Sequence, residues 1–142
     1  MPDAEAGWTF LEVIIVMAIV LILTSSVGFV GFRYLDRARQ VTARSQIASF
    51  ALALQAYAID CRQYPTQEQG LDALWTKPVL EPVPSGWAGP YVEKRIPNDP
   101  WGRSYAYTSP GPGGLPYGVR SLGSDGAEGG EGNARDVSSW EE

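Results

Sequence analysis

The chain has 142 residues, 44% of them hydrophobic, with 11 Lys+Arg against 16 Asp+Glu, no histidine and one cysteine; that length builds one small core plus appendages. Without histidine there is no imidazole acid, base or zinc ligand, and a lone Cys61 excludes an intramolecular disulfide and any cysteine-cluster metal site. A net charge of −5 and a pI near 4.7 argue against a nucleic-acid partner and leave protein, membrane or cation.

The first element is Val13 to Phe32, VIIVMAIVLILTSSVGFVGF, twenty residues without a charge. At about 1.5 Å rise per residue it covers about 30 Å, the thickness of a hydrocarbon core, and reads as a transmembrane helix. A cleaved signal peptide has a shorter apolar stretch of roughly 7 to 15 residues and a basic flank before it. Here the flank MPDAEAG carries Asp3 and Glu5 and no Lys or Arg. Glu12 stands in the first turns of this apolar helix. A carboxylate at bilayer depth costs about 2.5 to 3.5 kcal/mol, so it is a functional candidate; it can equally hydrate at the interface or favour the helix N-terminus through the dipole.

The string Gly7-Trp8-Thr9-Phe10-Leu11-Glu12 resembles the processing site of type IV pilin-like proteins. The resemblance implies cleavage by a prepilin peptidase after Gly7, N-methylation of the new terminal residue Trp8, and pairing of Glu12 with the N-terminal amine of a neighbouring subunit as helices pack into a filament. Such pairing offsets desolvation for both charges. Trp8 stands where Phe is usual in that family, and the leader is acidic where it is usually basic. Arg33, Arg37, Arg39 and Arg44 against Asp36 form a basic flank after the span, which the positive-inside rule would place in the cytoplasm. The resemblance implies the opposite topology, with the leader inside and the rest exported, and the motif is the more specific signal.

From Arg33 to about Cys61 there is no Pro or Gly, and Ile47, Phe50, Ala51, Leu54, Tyr57, Ala58 and Cys61 recur at spacings of three and four, which predicts one apolar helical face. With the membrane run this gives a nearly continuous helix from about residue 9 to 60, roughly 75 to 80 Å long. Cys61 reads as a small buried hydrophobe. Tyr64-Pro65 ends the helix, and Thr66-Gln67-Glu68-Gln69 fits a capping box opening a short second helix through Leu71 and Trp75. Residues 77 to 90, rich in Pro and Gly, predict a connector with Trp87 packed down. Three runs, Tyr91 to Ile96, Arg103 to Thr108 and Tyr117 to Ser121, have strand character and predict a small antiparallel sheet on the long helix, with Tyr105 and Tyr107 on one face. Trp101 reads as core or turn cover.

Residues 121 to 142 hold six acidic residues against Arg135, with five glycines between Gly123 and Gly132. A hard cation such as calcium takes six to eight oxygens from carboxylates and carbonyls on a sharply turning loop; a charged glycine-rich end can also simply be solvated. Asp125 to Asp136 has the length of an EF-hand loop, but Ala127 and Gly129 stand at its third and fifth positions and no helix flanks it, so an EF-hand is rejected.

Taken in order, the processing site, the long helix, YPTQEQGLDAL, DPWGRSYAY and SLGSDGAEGGEGNARDVSSW are similar to the major pseudopilins of bacterial type II secretion systems. The resemblance covers nearly the whole chain. It implies an α+β, pilin-like fold: a long N-terminal helix, transmembrane in its first half, packed on a small antiparallel sheet, with a C-terminal metal-binding loop. It divides the chain into a leader (1–7), a transmembrane helix (8–32), a periplasmic helix (33–61) and an α/β region ending in the calcium loop (62–142). It also implies a calcium ion in that loop, and matching residue by residue assigns it to the Leu122 carbonyl and the Asp125 and Asp136 carboxylates, with Asn133 or a neighbouring carbonyl as a further oxygen donor. Glu128 and Glu131 remain open.

The implied function is that of the repeating subunit of a short periplasmic filament, held single-pass in the inner membrane with its C-terminal domain periplasmic. Implied partners are further copies, minor pseudopilins, the prepilin peptidase and an inner-membrane assembly platform, and filament growth would drive folded proteins across the outer membrane. Two other readings stand beside it: a type IV pilus subunit in adhesion, motility or DNA uptake, and a non-polymeric membrane-anchored calcium-binding module. Many type IV pilins close a C-terminal loop with a disulfide, which a single Cys61 cannot do. An enzyme is not expected, because no nucleophile and base can be paired without histidine and the pair Asp99 and Asp125 has only sequence separation to recommend it.

Overall fold

A computed structural model describes residues 8–141 and, within the long helix, the side chains of all but residues 26–33. One helix, α1, runs Phe10–Cys61. Three strands follow, β1 (Ala106–Thr108), β2 (Gly118–Ser121) and β3 (Val137–Ser138), with single 3-10 turns at Leu71–Leu74, Pro112–Gly114 and Gly132–Ala134. The chain divides into two compact units, one ending at Asp36 and one beginning at Arg37.

In the first unit α1 opens on Thr9, whose Oγ1 accepts the Glu12 N–H at 3.2 Å and satisfies one of the free donors of the first turn. From Phe10 to Leu23 the large apolar side chains are exposed, Phe10 at 83% and Leu21 at 67%. Thr24 and Ser25 turn their hydroxyls back onto the carbonyls of Val20 and Leu21, the latter bond at 2.7 Å, so these polar atoms need no water. Among the described residues no helix is long and apolar enough to cross a membrane. The expected span from Val13 to Phe32 runs into residues 26–33 and so falls partly outside the described side chains, as does the leader 1–7.

In the second unit Ala43, Ile47, Phe50, Leu54 and Tyr57, spaced four and three apart, are all buried, which makes one helical stripe. Ala53 is buried as well, whereas Ala51, Ala58 and Cys61 lie at the half-buried edge of the stripe. Tyr105, Val119 and Val137 from the sheet side, with Leu71, Ala73 and Leu74, complete the core. Phe50 and Tyr105 meet edge to face at 5.2 Å, and the Tyr105 hydroxyl donates to Gln46 Oε1. Trp87 is packed down as expected: its Nε1 donates to the Ala73 carbonyl at 2.9 Å and its ring meets Tyr91 edge-on.

The sheet is three-stranded and antiparallel in the order β1-β2-β3, with Tyr107 opposite Val119 and Arg120 opposite Ser138. Its composition corrects the expectation. Tyr91 to Ile96 is no strand: it lies between Pro90 and Pro97, the Tyr91 N–H is already given to the Leu74 carbonyl at 2.8 Å, and its ring packs on Tyr57 and Trp87. The third strand comes instead from Val137–Ser138, inside the stretch read as an acidic tail. Arg103 is absent from β1 because its N–H bonds Asp99 Oδ1 and its carbonyl accepts the Asp99 N–H, closing a turn over DPWG. The capping box at Thr66 and Gln69 forms with both reciprocal bonds, at 3.1 and 3.2 Å. What it opens is a tight turn and then the Leu71–Leu74 3-10 turn, because Gly70 sits at φ +60 and breaks an α-helical start.

Candidate functional site

Two places carry the sequence-derived candidates, one in each unit. At the N-terminal end Gly7 lies outside the described residues, Trp8 is 70% exposed, and Glu12 occupies the third position of α1 with its side chain exposed. Its backbone N–H is held by Thr9, so the pair forms the first half of a capping box and Glu12 faces the positive end of the helix dipole.

The second place is the loop between β2 and β3. Backbone bonds fold it into two facing halves. Gly126 N–H donates to the Leu122 carbonyl at 3.1 Å, Ser124 N–H to the Asn133 carbonyl at 3.2 Å, and Asp136 N–H to the Gly129 carbonyl at 3.2 Å. The Ser124–Asn133 bond therefore ties the half carrying Leu122 and Asp125 to the half carrying Asn133 and Asp136. Two glycines permit this approach: a Cβ on Gly123 would stand 2.6 Å from the Ala134 carbonyl oxygen, and one on Gly130 would stand 2.5 Å from the same atom. On the α1 side, Gln40 Nε2 donates to the Gly132 carbonyl at 2.5 Å.

The two loop carboxylates assigned from sequence differ. Asp125 is exposed and its Oδ1 accepts the Ala127 N–H at 3.1 Å. The Asp136 side chain is only 11% exposed; its Oδ2 accepts the Gly129 N–H at 3.1 Å and stands 3.5 Å from Arg120 Nη1, while its Oδ1 is buried without a partner. Among the described residues no three His, Cys, Asp or Glu side chains converge on one point, so a cation here would need backbone carbonyls beside these carboxylates. The Leu122 and Asn133 carbonyls, which accept the Gly126 and Ser124 N–H groups, stand on the two halves of the loop, and a carbonyl oxygen carries two lone pairs.

Arg103 and Arg120, which the sequence reading did not single out, hold the loop to the body. Arg103 Nη1 donates to the Gly123 carbonyl at 2.9 Å, and both its Nη atoms reach the Ser124 carbonyl at 3.3 Å. Arg120 binds Glu128 and approaches Asp136. Asp99, 4% exposed, accepts N–H groups from Trp101 and Arg103 and the hydroxyl of Ser121. A signal for Arg120 was present: strand alternation puts Val119 and Ser121 inward and Arg120 on the far face, next to the following acids. Around Cys61, which is free and half-buried, the hydroxyls of Tyr57 and Tyr91 are held protonated well above the usual phenol range by burial, Tyr91 at about 12.

Residues 31–140 match the family model described as type II secretion system (T2SS), protein G. The chain is 38% identical over 137 residues to the type II secretion system core protein G of Pseudomonas aeruginosa, covering 96% of each. It is 43% identical over 139 residues to the protein of that name in Vibrio cholerae, covering 96% of this chain and 92% of the relative. Among solved structures it is similar to the major pseudopilin from the type 2 secretion system of enterohaemorrhagic Escherichia coli, with a TM-score of 0.64 at 33% identity, over 74% of this chain and 89% of that one. With a long helix laid on a three-stranded antiparallel sheet, and with these likenesses along nearly its whole length, the chain belongs to the type II secretion system protein G family, that of the major pseudopilins.

Proposed function

We propose that the chain is the repeating subunit of a type II secretion pseudopilus, held in the inner membrane by the first part of α1 with its C-terminal unit in the periplasm, and assembled through that helix after cleavage behind Gly7. The observation that carries the reading is the exposure of every large apolar side chain from Phe10 to Leu23. Each Leu, Ile or Val moved from water into lipid or against a sister helix contributes about 1.5 to 3 kcal/mol, so the exposed helix demands such a cover. Glu12, at the head of that surface, supplies the one charge able to fix the axial position of a neighbour, by meeting its terminal amine. The protein's work is association; it is a substrate of the peptidase, and energy for extension belongs to the assembly platform. The test compares Glu12→Ala with the parent at equal membrane insertion: filament formation and secretion should be lost, and normal secretion would remove this account of Glu12. Crosslinking in membranes should give a ladder of copies, which an anchored monomer would not.

The loop between β2 and β3 is read as a calcium site held by Asp125, Asp136 and the Leu122 carbonyl, with Asn133 as a further oxygen donor. Support comes from the buried, unpartnered Oδ1 of Asp136, from an all-oxygen donor set suited to a hard cation, and from glycines that let the two halves meet. When bound, calcium would supply the positive charge that lets these oxygens sit together. An ion bound only by the folded loop stabilises it by about 2.7 kcal/mol at a hundred times its dissociation constant, which would couple the exported side's calcium to a filament-competent surface. Asp125→Ala should lower the thermal midpoint in calcium and leave the chelated protein nearly unchanged; equal losses in both would contradict the site.

A further inference from the structure

The loop read as a calcium site already contains a cation supplied by the chain. Arg120 lies in β2, opposite Ala106 on one side and Ser138 on the other. Its side chain, one quarter exposed, binds the Glu128 carboxylate through Nη2 and places Nη1 3.5 Å from Asp136 Oδ2. Asp136 Oδ2 also accepts the Gly129 N–H, whereas Oδ1 is buried and unpartnered. The carboxylate is thus divided: one oxygen faces fixed positive donors and the other is open.

We propose that Arg120 is the resident counter-ion of this loop, holding Glu128 and Asp136 in place when no divalent ion is bound and, through its charge, lowering the affinity for one. The inference rests on the calcium reading of the loop. A planar guanidinium can bridge two carboxylates where a lysine ammonium acts as a point charge. A removed Arg120 would leave Asp136, mostly out of water, with less compensation. Against a bound divalent ion the same charge acts in the opposite sense: a unit positive charge about 5 Å away weakens its binding on the order of tenfold even at the dielectric constant of water. Arg103 does not share this role, since its guanidinium is engaged by the Gly123 and Ser124 carbonyls of the loop. One residue therefore sets two properties in opposition, order of the empty loop and affinity of the filled one.

The experiment uses the full chain in detergent, with calcium chloride as the probe, and measures the calcium dissociation constant by calorimetry together with the thermal midpoint in chelator. Arg120→Gln should bind calcium about tenfold more tightly and should melt several degrees lower than the parent in chelator. Arg120→Lys, which keeps the charge and disturbs packing least, should stay within about threefold of the parent's affinity. A gain confined to Arg120→Gln, or calcium binding by that variant where the parent binds none, supports the proposal. Equal or weaker binding by Arg120→Gln, an unchanged midpoint in chelator, or a tenfold gain in Arg120→Lys overturns it. Absence of calcium binding in parent and variants alike would overturn the calcium reading and the competition with it, whereas equal binding in all three would remove only the role of Arg120.

Discussion

Ser121 donates its hydroxyl to Asp99 Oδ2 at 2.6 Å, with both side chains essentially out of water. This bond joins the DPWG turn to β2, because Asp99 Oδ1 at the same time accepts the N–H groups of Trp101 and Arg103 at 3.1 and 2.8 Å. Asp99 thus satisfies three donors, and Arg103, whose N–H it holds, carries the bonds to Gly123 and Ser124 at the start of the acidic loop. Asp99→Ala would leave those donors without acceptors, at a cost of about 3 kcal/mol. Its thermal midpoint in detergent should fall by roughly 10 °C or more, and Asp99→Asn, which keeps one oxygen acceptor, should lose about half as much. A drop of less than a few degrees in Asp99→Ala would show that the turn closes without it.

The difference between what could and could not be read in advance follows from range. The stripe Ile47, Phe50, Leu54 and Tyr57 was legible because helical periodicity is local, and the reciprocal Thr66 and Gln69 bonds were legible because a capping box spans four residues. The third strand was not: Val137–Ser138 are two residues among acids and serines, and only pairing with Arg120 and Ser121 makes them a strand. Conversely Tyr91 to Ile96 has strand composition but no free edge to pair with, since the core claims Tyr91 through Tyr57, Trp87 and the Leu74 carbonyl. In the site, acids and glycines announced an oxygen-rich loop and strand alternation placed Arg120 beside it, while Arg103 reaches its partner from 20 residues away and leaves no local pattern.

Gln69 offers a test that separates its two roles. Its Oε1 and N–H close the capping box with Thr66, while its Nε2 donates to the carbonyls of Leu80 and Pro82 at 2.8 and 3.1 Å. Gln69→Glu keeps an oxygen for Thr66 but turns the other end from donor into acceptor, facing two carbonyls at a residue only 8% exposed. The expected loss is about 2 kcal/mol by chemical denaturation at neutral pH. It should shrink as pH falls and the new carboxyl takes up a proton, which restores a donor. A loss that is independent of pH would place the damage in the cap instead of the loop.

Alkaline unfolding should be governed by the buried tyrosines. Burial pushes the Tyr107 hydroxyl, which donates to the Pro65 carbonyl at 2.8 Å, up to about 12 from an ordinary value of 10.0, and Tyr91 likewise to about 12; Tyr57, Tyr105 and Tyr117 are raised for the same first reason. A raised folded value means that the unfolded chain releases its proton first. The stabilisation is therefore whole below pH 10 and is lost as pH climbs from 10 toward 12. Thermal midpoints should be flat from pH 7 to 9 and fall above 10. Tyr107→Phe, about 1 kcal/mol less stable than the parent at pH 7, should approach and overtake it in that upper window; a constant gap between the two would refute the assignment to Tyr107.

Two glycines of the acidic loop have nearly the same backbone angle and different surroundings. Gly123 has φ +61 and Gly132 φ +58, a conformation that costs an L-residue about 1 kcal/mol. A Cβ on Gly132 meets nothing within 4 Å, whereas on Gly123 it would stand 2.6 Å from the Ala134 oxygen and 2.8 Å from that of Arg135. These neighbours are backbone atoms of the facing half and can yield only if the halves part. Gly132→Ala should therefore cost about 1 kcal/mol and leave calcium affinity within about twofold. Gly123→Ala should cost about 3 kcal/mol, because crowding adds to the same backbone term, and should weaken calcium binding at least tenfold by separating the Leu122 and Asp125 half from Asn133 and Asp136. Measured side by side in calcium and in chelator, similar losses for the two variants would mean that the loop does not depend on the close meeting of its halves.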